Sequence, residues 1–340
     1  MTNKTIKIKD VAIVAGVSTA TVSRALSKPE QVSEATRSAV LDAVRQTGYR
    51  INQTARNLRK QRSGVIAALI PDLGNPFFSQ ILSGMASELS KEGLSLIVVD
   101  SQQIGFEPAQ MLEFLYMKQA DGLIVLDGRI IVPHATAGGS RSPVVYACEW
   151  NSQADGSGVR VDNESGGRLA VEHLLALGHT DIGFVLGPQQ NPLTGSRKDG
   201  ALAALHQAGL NLPAHWALSG DFTLDSGAKA AQDWAALPVR PTAMFCMSDQ
   251  MAFGFIAELT RLGYAVPDDV SVVGFDDIEI AHYFTPGLTT IRQPRFAVGC
   301  EAAKLLTCAL QKEQKDEQAS HTVLPVELIV RATTAAREGT

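Results

Sequence analysis

Residues 10–40 have the sequence DVAIVAGVSTATVSRALSKPEQVSEATRSAV, which decides the fold of the N-terminal region. Apolar residues on one face predict a first helix over about Ile8–Ala15, and Gly16 supplies the tight turn after it. Ser18 is a favoured N-cap for a second helix over about Thr19–Leu26. A helix, a glycine turn and a capped second helix are typical of the helix-turn-helix motif.

A third helix completes this small domain, which we call the head (residues 1–49). Ser33 caps the third helix, which runs for about fifteen residues, and Gly48 ends it. Two helices alone cannot enclose a hydrophobic core, so the third one is needed. The sequence therefore predicts a three-helix head.

The charge of the chain is divided unevenly. Residues 1–62 contain 12 Lys and Arg against 4 Asp and Glu, whereas the remainder contains 18 against 31, which leaves the whole chain at −5. A basic N-terminal region on an acidic body indicates a polyanionic partner for that region alone. Together with the helix-turn-helix pattern, this predicts binding to double-stranded DNA.

The second helix is expected to enter the major groove. Arg24 can form a bidentate pair with guanine, Ala20 can contact a thymine methyl, and Ser18 and Thr21 can contact phosphate. The alternative is that Arg24 is a solvated helix charge. The predicted DNA-contacting residues of the head are Ser18, Thr19, Ala20, Thr21, Ser23 and Arg24.

Residues 50–62, RINQTARNLRKQR, form a basic hinge segment between head and body. A short helix here could lie in the minor groove with Leu58 as a wedge between base steps, and it could fold only on DNA. The alternative is a flexible basic linker. The hinge residues expected to contact DNA are Asn52, Ala55, Arg56 and Leu58.

From residue 63 onward, short apolar strands alternate with longer helices, which predicts α/β lobes with parallel sheets covered on both faces. Two such series predict two doubly wound lobes: lobe 1 at about 63–161 and 293–322, and lobe 2 at about 162–292 and 323–331. Ligands of such sheets bind beyond the carboxyl ends of the strands, so a ligand is expected in the cleft between the lobes. The expected strands are Val65–Ile70, Leu94–Val99, Gly122–Leu126, Val144–Ala147, Ile182–Leu186, Ala243–Cys246, Ser271–Gly274 and Val323–Glu327.

Several other classes of protein are disfavoured. The four cysteines lack C-x-x-C spacing and are expected to be core residues, and the histidines lack metal-ligand spacing, so neither a metal nor a cofactor is expected. No phosphate-binding loop, dinucleotide fingerprint or nucleophile elbow occurs, which argues against an enzyme. A polar, basic start and the lack of long apolar runs predict a cytoplasmic protein and argue against an exported solute-binding protein.

The chain resembles the LacI/GalR family of bacterial repressors over residues 7–331. The resemblance rests on the head sequence, on ARNLR in the hinge segment, and in the body on PDLGNPFF, VEHLLALGH, SRKDG and VPDDVSVVGFDDI. Within the family, STATVSRAL, GDFTLDSG and PTAMFC are most similar to its nucleoside-responsive members. One position departs from the family: Ile51 stands where a proline usually precedes the short hinge helix, so a looser hinge is expected.

The resemblance implies an effector in the cleft, either a nucleoside or a pentose or other sugar. Asp276, Glu149 and Arg197 would bind hydroxyl groups, and the aromatic side chains would contact a sugar ring or base. Alternatively, Asp276 and Arg197 form an internal ion pair, and the aromatic residues pack in the core. The implied effector residues are Phe77, Phe78, Glu149, Trp150, Arg197, Phe222, Ser248, Asp249 and Asp276.

These expectations combine into a ligand-controlled transcriptional repressor. Two chains would pair through the helices at Phe77–Lys91 and Glu107–Lys118 and place two heads on a pseudo-palindromic operator. The tail after Arg331 has no leucine heptads, so a homodimer is expected rather than a tetramer held by a coiled coil.

Overall fold

The computed structural model describes residues 6–49, 62–102, 115, 117–132, 136–137, 140–149, 156–311 and 319–337. Contacts divide the chain into two compact units, residues 1–62 and 63–340. Trp150 and the hinge residues Asn52, Ala55, Arg56 and Leu58 lie outside the described residues. The same holds for most of the predicted helix at Glu107–Lys118.

The head is the predicted three-helix domain. Its core is formed by small apolar residues that include Val11, Val22 and Val40, all fully buried. Gly16 adopts a left-handed conformation with φ +65°, which allows the chain to turn between the first two helices. The helices are α1 (Ile8–Ala15), α2 (Thr19–Ser27) and α3 (Glu34–Thr47).

The body contains two six-stranded sheets. The strands are β1 (Val65–Ile70), β2 (Ser95–Asp100), β3 (Gly122–Val125), β4 (Thr136–Ala137), β5 (Ser140–Arg141), β6 (Val144–Ala147), β7 (Ser157–Val161), β8 (Ile182–Val185), β9 (Ala217–Leu218), β10 (Ala243–Cys246), β11 (Ser271–Asp276), β12 (Thr289–Arg292), β13 (His321–Leu324) and β14 (Glu327–Ile329). The sheet of lobe 1 has the order β13-β7-β6-β3-β1-β2, and that of lobe 2 has the order β14-β12-β11-β10-β8-β9. All described pairs in these sheets are parallel except β12 with β14.

Helices cover the sheets and form close pairs. The helices are α4 (Phe77–Lys91), α5 (Asn163–Ala176), α6 (Pro192–Gln207), α7 (Leu224–Ala235), α8 (Asp249–Arg261), α9 (Ile280–Tyr283) and α10 (Arg295–Gln311). The close pairs are α4 with α10 in lobe 1, and α5 with α6 and α7 with α8 in lobe 2. None of the described helices is long and apolar enough to cross a membrane.

The chain passes between the lobes three times: between β7 and α5, between β12 and α10, and between β13 and β14. The last passage corrects the expected single strand Val323–Glu327. Val323 and Leu324 pair with β7 in lobe 1, whereas Glu327 begins β14 in lobe 2. Pro325 lies between the two strands and has no N–H group to donate to a sheet.

Two expectations about core residues also change. Cys148 and Cys246 are buried, but Cys300 is only partly buried and Cys308 is exposed. Cys308 lies one turn after the exposed Lys304, on the outward face of α10. His179, shortly after the end of α5, is buried, and its ring is hydrogen-bonded to the hydroxyl groups of Thr242 and Ser271.

Candidate functional site

A cavity of about 440 Å³ lies between the two lobes of the body. This volume is within the usual range for a small-ligand pocket. Most of its walls come from residues that directly follow strands of the two sheets, as expected for doubly wound folds. The described lining residues are Pro71, Asp72, Asn75, Phe77, Phe78, Gln102, Arg129, Glu149, Pro188, Gln190, Asn191, Leu193, Arg197, Asp221, Phe222, Thr223, Ser248 and Asp276.

Arg197 and Asp276 form the buried polar centre of the lobe 2 wall. Arg197 Nη2 lies 3.9 Å from Asp276 Oδ1, and their side chains are only 3% and 8% exposed. Arg197 Nε also donates to Asn163 Oδ1 at 2.9 Å, and its guanidinium lies 3.7 Å from the centre of the Phe275 ring. Arg197 and Asp276 therefore form the expected internal pair and also line the cavity, so the two interpretations are compatible.

Arg197 has this position because α5 and α6 cross at very close range. A Cβ atom on Gly167 would lie 2.0 Å from the backbone oxygen of Arg197, and one on Gly200 would lie 1.8 Å from that of Glu164. Any side chain at either glycine would separate the helices. This glycine contact fixes the backbone that carries Arg197.

Asp276 ends β11 with an unusual backbone, at φ +125°. Burial raises the pKa of its carboxyl group to about 6, while Arg197 and Arg295 oppose this shift. Gln293 Nε2 donates to Asp276 Oδ1 at 2.7 Å. Above pH 6 the group is therefore mainly a carboxylate, which can accept hydrogen bonds from hydroxyl groups.

Aromatic rings contribute to both walls. Phe77 and Phe78, at the start of α4, stand edge to face with ring centres 5.0 Å apart, and both line the cavity while being mostly buried. They serve the core and the cavity at once. Phe222 follows β9 with φ +70° and reaches within 5.9 Å of the Arg197 guanidinium.

Glu149 connects the two lobes. Its Oε1 accepts a hydrogen bond from Asn191 Nδ2 of lobe 2 at 2.9 Å, and its Oε2 accepts one from Gly128 N of lobe 1 at 2.8 Å. Burial raises the pKa of Glu149, and these two bonds oppose the shift. Both oxygens are thus already engaged, so the group is a link across the cleft as well as part of its wall.

Asp249 does not line the cavity, which corrects the expectation for this residue. It is fully buried, and its carboxylate accepts hydrogen bonds from Ile278 N at 2.9 Å and from the Thr290 hydroxyl. The first turn of α8 directs this side chain away from the cleft. Its neighbour Ser248 does line the cavity, and Ser248 Oγ caps α8 by accepting from Met251 N at 3.2 Å.

Sequence reasoning missed several polar lining residues: Asp72, Gln102, Arg129, Asn191 and Asp221. Asp72 and Gln102 lie two residues after β1 and β2, and the others lie in the segments that follow β3, β8 and β9. Polar residues just beyond strand ends were the available signal. Among the described residues, no group of three His, Cys, Asp or Glu side chains is placed to hold a metal ion.

In the head, α2 is solvent-exposed at Thr19 and Ala20 in its first turn and at Arg24 in its last turn. Ser18 Oγ accepts from Thr21 N at 3.0 Å and lies 2.8 Å from Thr21 Oγ1, so these two residues form the cap of the helix. Thr21 and Ser23 are half-buried. The exposed first turns of α2 are the surface that a helix-turn-helix presents to the major groove.

A helix-turn-helix head joined to a two-lobed body with a central cavity defines the class of ligand-controlled DNA-binding regulators. Residues 7–52 match the family described as "Bacterial regulatory proteins, lacI family", and residues 171–334 match a "Periplasmic binding protein-like domain".

Full-length relatives agree with these matches. The chain is 37% identical to the HTH-type transcriptional repressor CytR of Escherichia coli K12, covering 97% of this chain and 96% of the relative. It is 35% identical to the repressor PurR of Vibrio campbellii, covering 96% and 98%. The lac repressor dimer bound to operator and the anti-inducer ONPF superposes with a TM-score of 0.80 at 30% identity, covering 98% of this chain and 100% of that one. The chain belongs to the LacI family and is a DNA-binding transcriptional repressor controlled by a small effector.

Proposed function

We propose that this repressor binds a pseudo-palindromic operator as a homodimer and that a nucleoside bound in the cleft changes its operator affinity. It works in the cytoplasm, where bacterial DNA lies, and it regulates by binding rather than by catalysing a reaction. The head comprises residues 1–49, the hinge segment residues 50–62 and the effector-binding body residues 63–340.

Operator recognition is assigned to the exposed face of α2. Arg24 would pair with a guanine, and Thr19 and Ala20 would contact neighbouring base edges. Ser18 and Thr21, which cap α2, would hold the helix end near a phosphate. Asn52, Ala55, Arg56 and Leu58 of the hinge segment would add contacts in the minor groove, with Ile51 making this helix looser than in other family members.

The effector assignment rests on one observation: a single cavity combines a buried Arg197–Asp276 pair with aromatic faces from both lobes. Charge-assisted hydrogen bonds from this pair suit the vicinal hydroxyls of a ribose. Phe77, Phe78 and Phe222 suit a flat base, and Trp150 is proposed as a fourth aromatic contact. A free pentose would use the polar pair but would leave the aromatic faces without a partner.

Control of the operator is proposed to act through the angle between the lobes. The cavity walls come from both lobes. Glu149 of lobe 1 joins the lobes across the cleft, because it accepts a hydrogen bond from Asn191 of lobe 2. A ligand that prefers one lobe angle shifts the population toward it, with a typical coupling of about 1–3 kcal/mol. Pairing of two chains is assigned to α4 and to the segment at residues 107–118, which would transmit the motion to the heads.

A thermal-shift experiment on the full chain tests the effector class. The panel contains cytidine, uridine, adenosine, ribose and other pentoses, each over a range of concentrations. A ligand at 100 times its Kd adds about 2.7 kcal/mol to the free energy of unfolding, which raises Tm measurably. A rise with a nucleoside and none with free pentoses is expected; a response to pentoses alone would contradict the nucleoside assignment.

A further inference from the structure

The cavity between the lobes carries an excess of negative charge. Four carboxyl groups and two guanidinium groups line it: Asp72, Glu149, Asp221, Asp276, Arg129 and Arg197. Asp276 and Glu149 lie deep in the cleft, whereas Asp221 is exposed and Asp72 half-buried. Asp221 and Asp72 therefore place negative charge on the more solvent-exposed part of the cavity wall.

Both guanidinium groups are paired with carboxyl groups of the protein. Arg129 donates from Nε and Nη2 to the two oxygens of Asp127, at 2.9 and 2.7 Å, and Asp127 is only 1% exposed. Arg197 is held by Asn163, by the Met247 carbonyl and by Asp276. Asp127 therefore neutralises the charge of Arg129, and Asp276 neutralises that of Arg197, so neither residue offers a net positive charge to an incoming anion.

Helix N-termini are the other common binding sites for phosphate. Four helices begin at this cavity, and each has a side-chain cap on one of its first amides. At α7, Thr223 Oγ1 accepts from Ser226 N at 3.2 Å. Asn75 Oδ1 accepts from Phe77 N at 2.9 Å, Asn191 Oδ1 from Leu193 N at 2.8 Å, and Ser248 Oγ from Met251 N at 3.2 Å. The amides that could bind phosphate are partly occupied by the protein itself.

Across the described walls of the cavity, acidic groups thus outnumber basic ones by four to two. A phosphate monoester carries a charge of about −1.5 to −2 at neutral pH, so it would be repelled here.

We infer that the cleft selects unphosphorylated ligands and that Asp72 and Asp221 reject the corresponding 5′-monophosphates. This inference rests on the proposed nucleoside effector and adds that the repressor distinguishes free nucleosides from nucleotides. The discrimination is electrostatic, because the two carboxylates lie at the exposed edge of the cavity rather than in its packed interior.

The test measures Kd by calorimetry for cytidine, uridine, adenosine and their 5′-monophosphates on the full chain. Each edge carboxylate is expected to weaken monophosphate binding by about fivefold to tenfold, from Coulomb repulsion in a largely aqueous setting. The wild-type ratio of the two Kd values should therefore be about 25- to 100-fold, and it should shrink as added salt shortens the screening length.

The matched variants are Asp72→Asn, Asp221→Asn and the double variant. Asparagine keeps an oxygen for the bonds that Asp72 Oδ1 accepts from Gly74 N and Asp221 Oδ1 accepts from Thr223 N. The double variant should reduce the Kd ratio at least tenfold, whereas Asp268→Asn, on an exposed turn of lobe 2, should leave it unchanged.

The outcomes separate the two proposals. Equal affinity for nucleoside and monophosphate in the wild type would overturn the inference and leave the effector class intact. A ratio that neither salt nor the double variant changes would mean exclusion by shape, which also overturns it. If the wild type binds none of these compounds, the nucleoside proposal fails, and the inference fails with it.

Discussion

The head and the body present their candidate binding residues in opposite ways. In the head, Thr19, Ala20 and Arg24 are exposed on α2. In the body, Arg197 and Asp276 are buried and form an ion pair. A long, charged polymer such as DNA can be met by an exposed helix, but a small ligand must be enclosed to gain enough contacts. Substitutions in the head should therefore change DNA affinity alone, whereas those of the ligand-contacting residues in the cleft should change the ligand response.

The largest effect is expected from Asp276→Ala. This variant removes the carboxylate that accepts ligand hydroxyls, and a hydrogen bond to a charged group is worth about 2–3 kcal/mol. Nucleoside affinity should fall roughly 30- to 150-fold by calorimetry. Operator binding without ligand should persist, and Asp233→Ala, on an exposed face of α7, serves as the control. A normal ligand response in Asp276→Ala would remove this residue from the site.

Arg24→Ala tests the exposed side of the comparison. Specific operator affinity should fall by about 1–3 kcal/mol, while Tm and nucleoside affinity stay as in the wild type. Arg45→Ala, which removes an exposed arginine from α3, is the matched control, because it changes the head's charge equally. Equal losses in both variants, measured by fluorescence anisotropy, would reduce Arg24 to a general contributor of positive charge.

The buried acid of the cleft predicts a pH dependence that the exposed head lacks. Because burial raises the pKa of Asp276 to about 6, lowering the pH through this value protonates it and removes the acceptor for ligand hydroxyls. Nucleoside affinity should be constant above pH 7 and should weaken below pH 6 by up to about tenfold, or 1.4 kcal/mol, per unit. Asp276→Asn should abolish this dependence. An affinity that rises as the pH falls would contradict the assigned role of the carboxylate.

The smallest effect is expected from Asn191→Ser. Serine can still cap α6, but it is too short to reach Glu149 across the cleft. Loss of this hydrogen bond should change the preference between lobe angles by about 0.5–1.5 kcal/mol and should alter operator affinity without ligand. Anisotropy with operator DNA provides the measurement. An operator affinity equal to that of the wild type would mean that this bond does not influence the lobes.

The sequence predicted the head more completely than the site. The caps at Ser18 and Ser33 and the turn at Gly16 act within a few residues, so local pattern suffices to place them. The cleft depends on distant partners: Glu149 bonds to Asn191, 42 residues away, and Asp249 to Thr290, 41 residues away. Motifs identified these acidic residues, but they did not indicate which carboxylates the protein already uses itself.

Most predicted strands are present, but some strands were missed for a related reason. Ser157–Val161 and Thr289–Arg292 are strands that contain polar residues, and they were missed because they lack a long apolar run. Their positions in the sheets are determined by pairing with β6 and β11, which local pattern does not contain. The polar wall residues beyond strand ends, such as Asn191 and Asp221, likewise become recognisable only once the topology is known.

Ligand control of the head by the body is most directly tested by measuring operator affinity of the full chain with and without a saturating nucleoside. The nucleoside should change the operator Kd by about 5- to 150-fold in the wild type and should have no effect in Asp276→Ala. A nucleoside that raises Tm but leaves the operator Kd unchanged would contradict ligand control, because the cleft would then bind a ligand without controlling DNA binding.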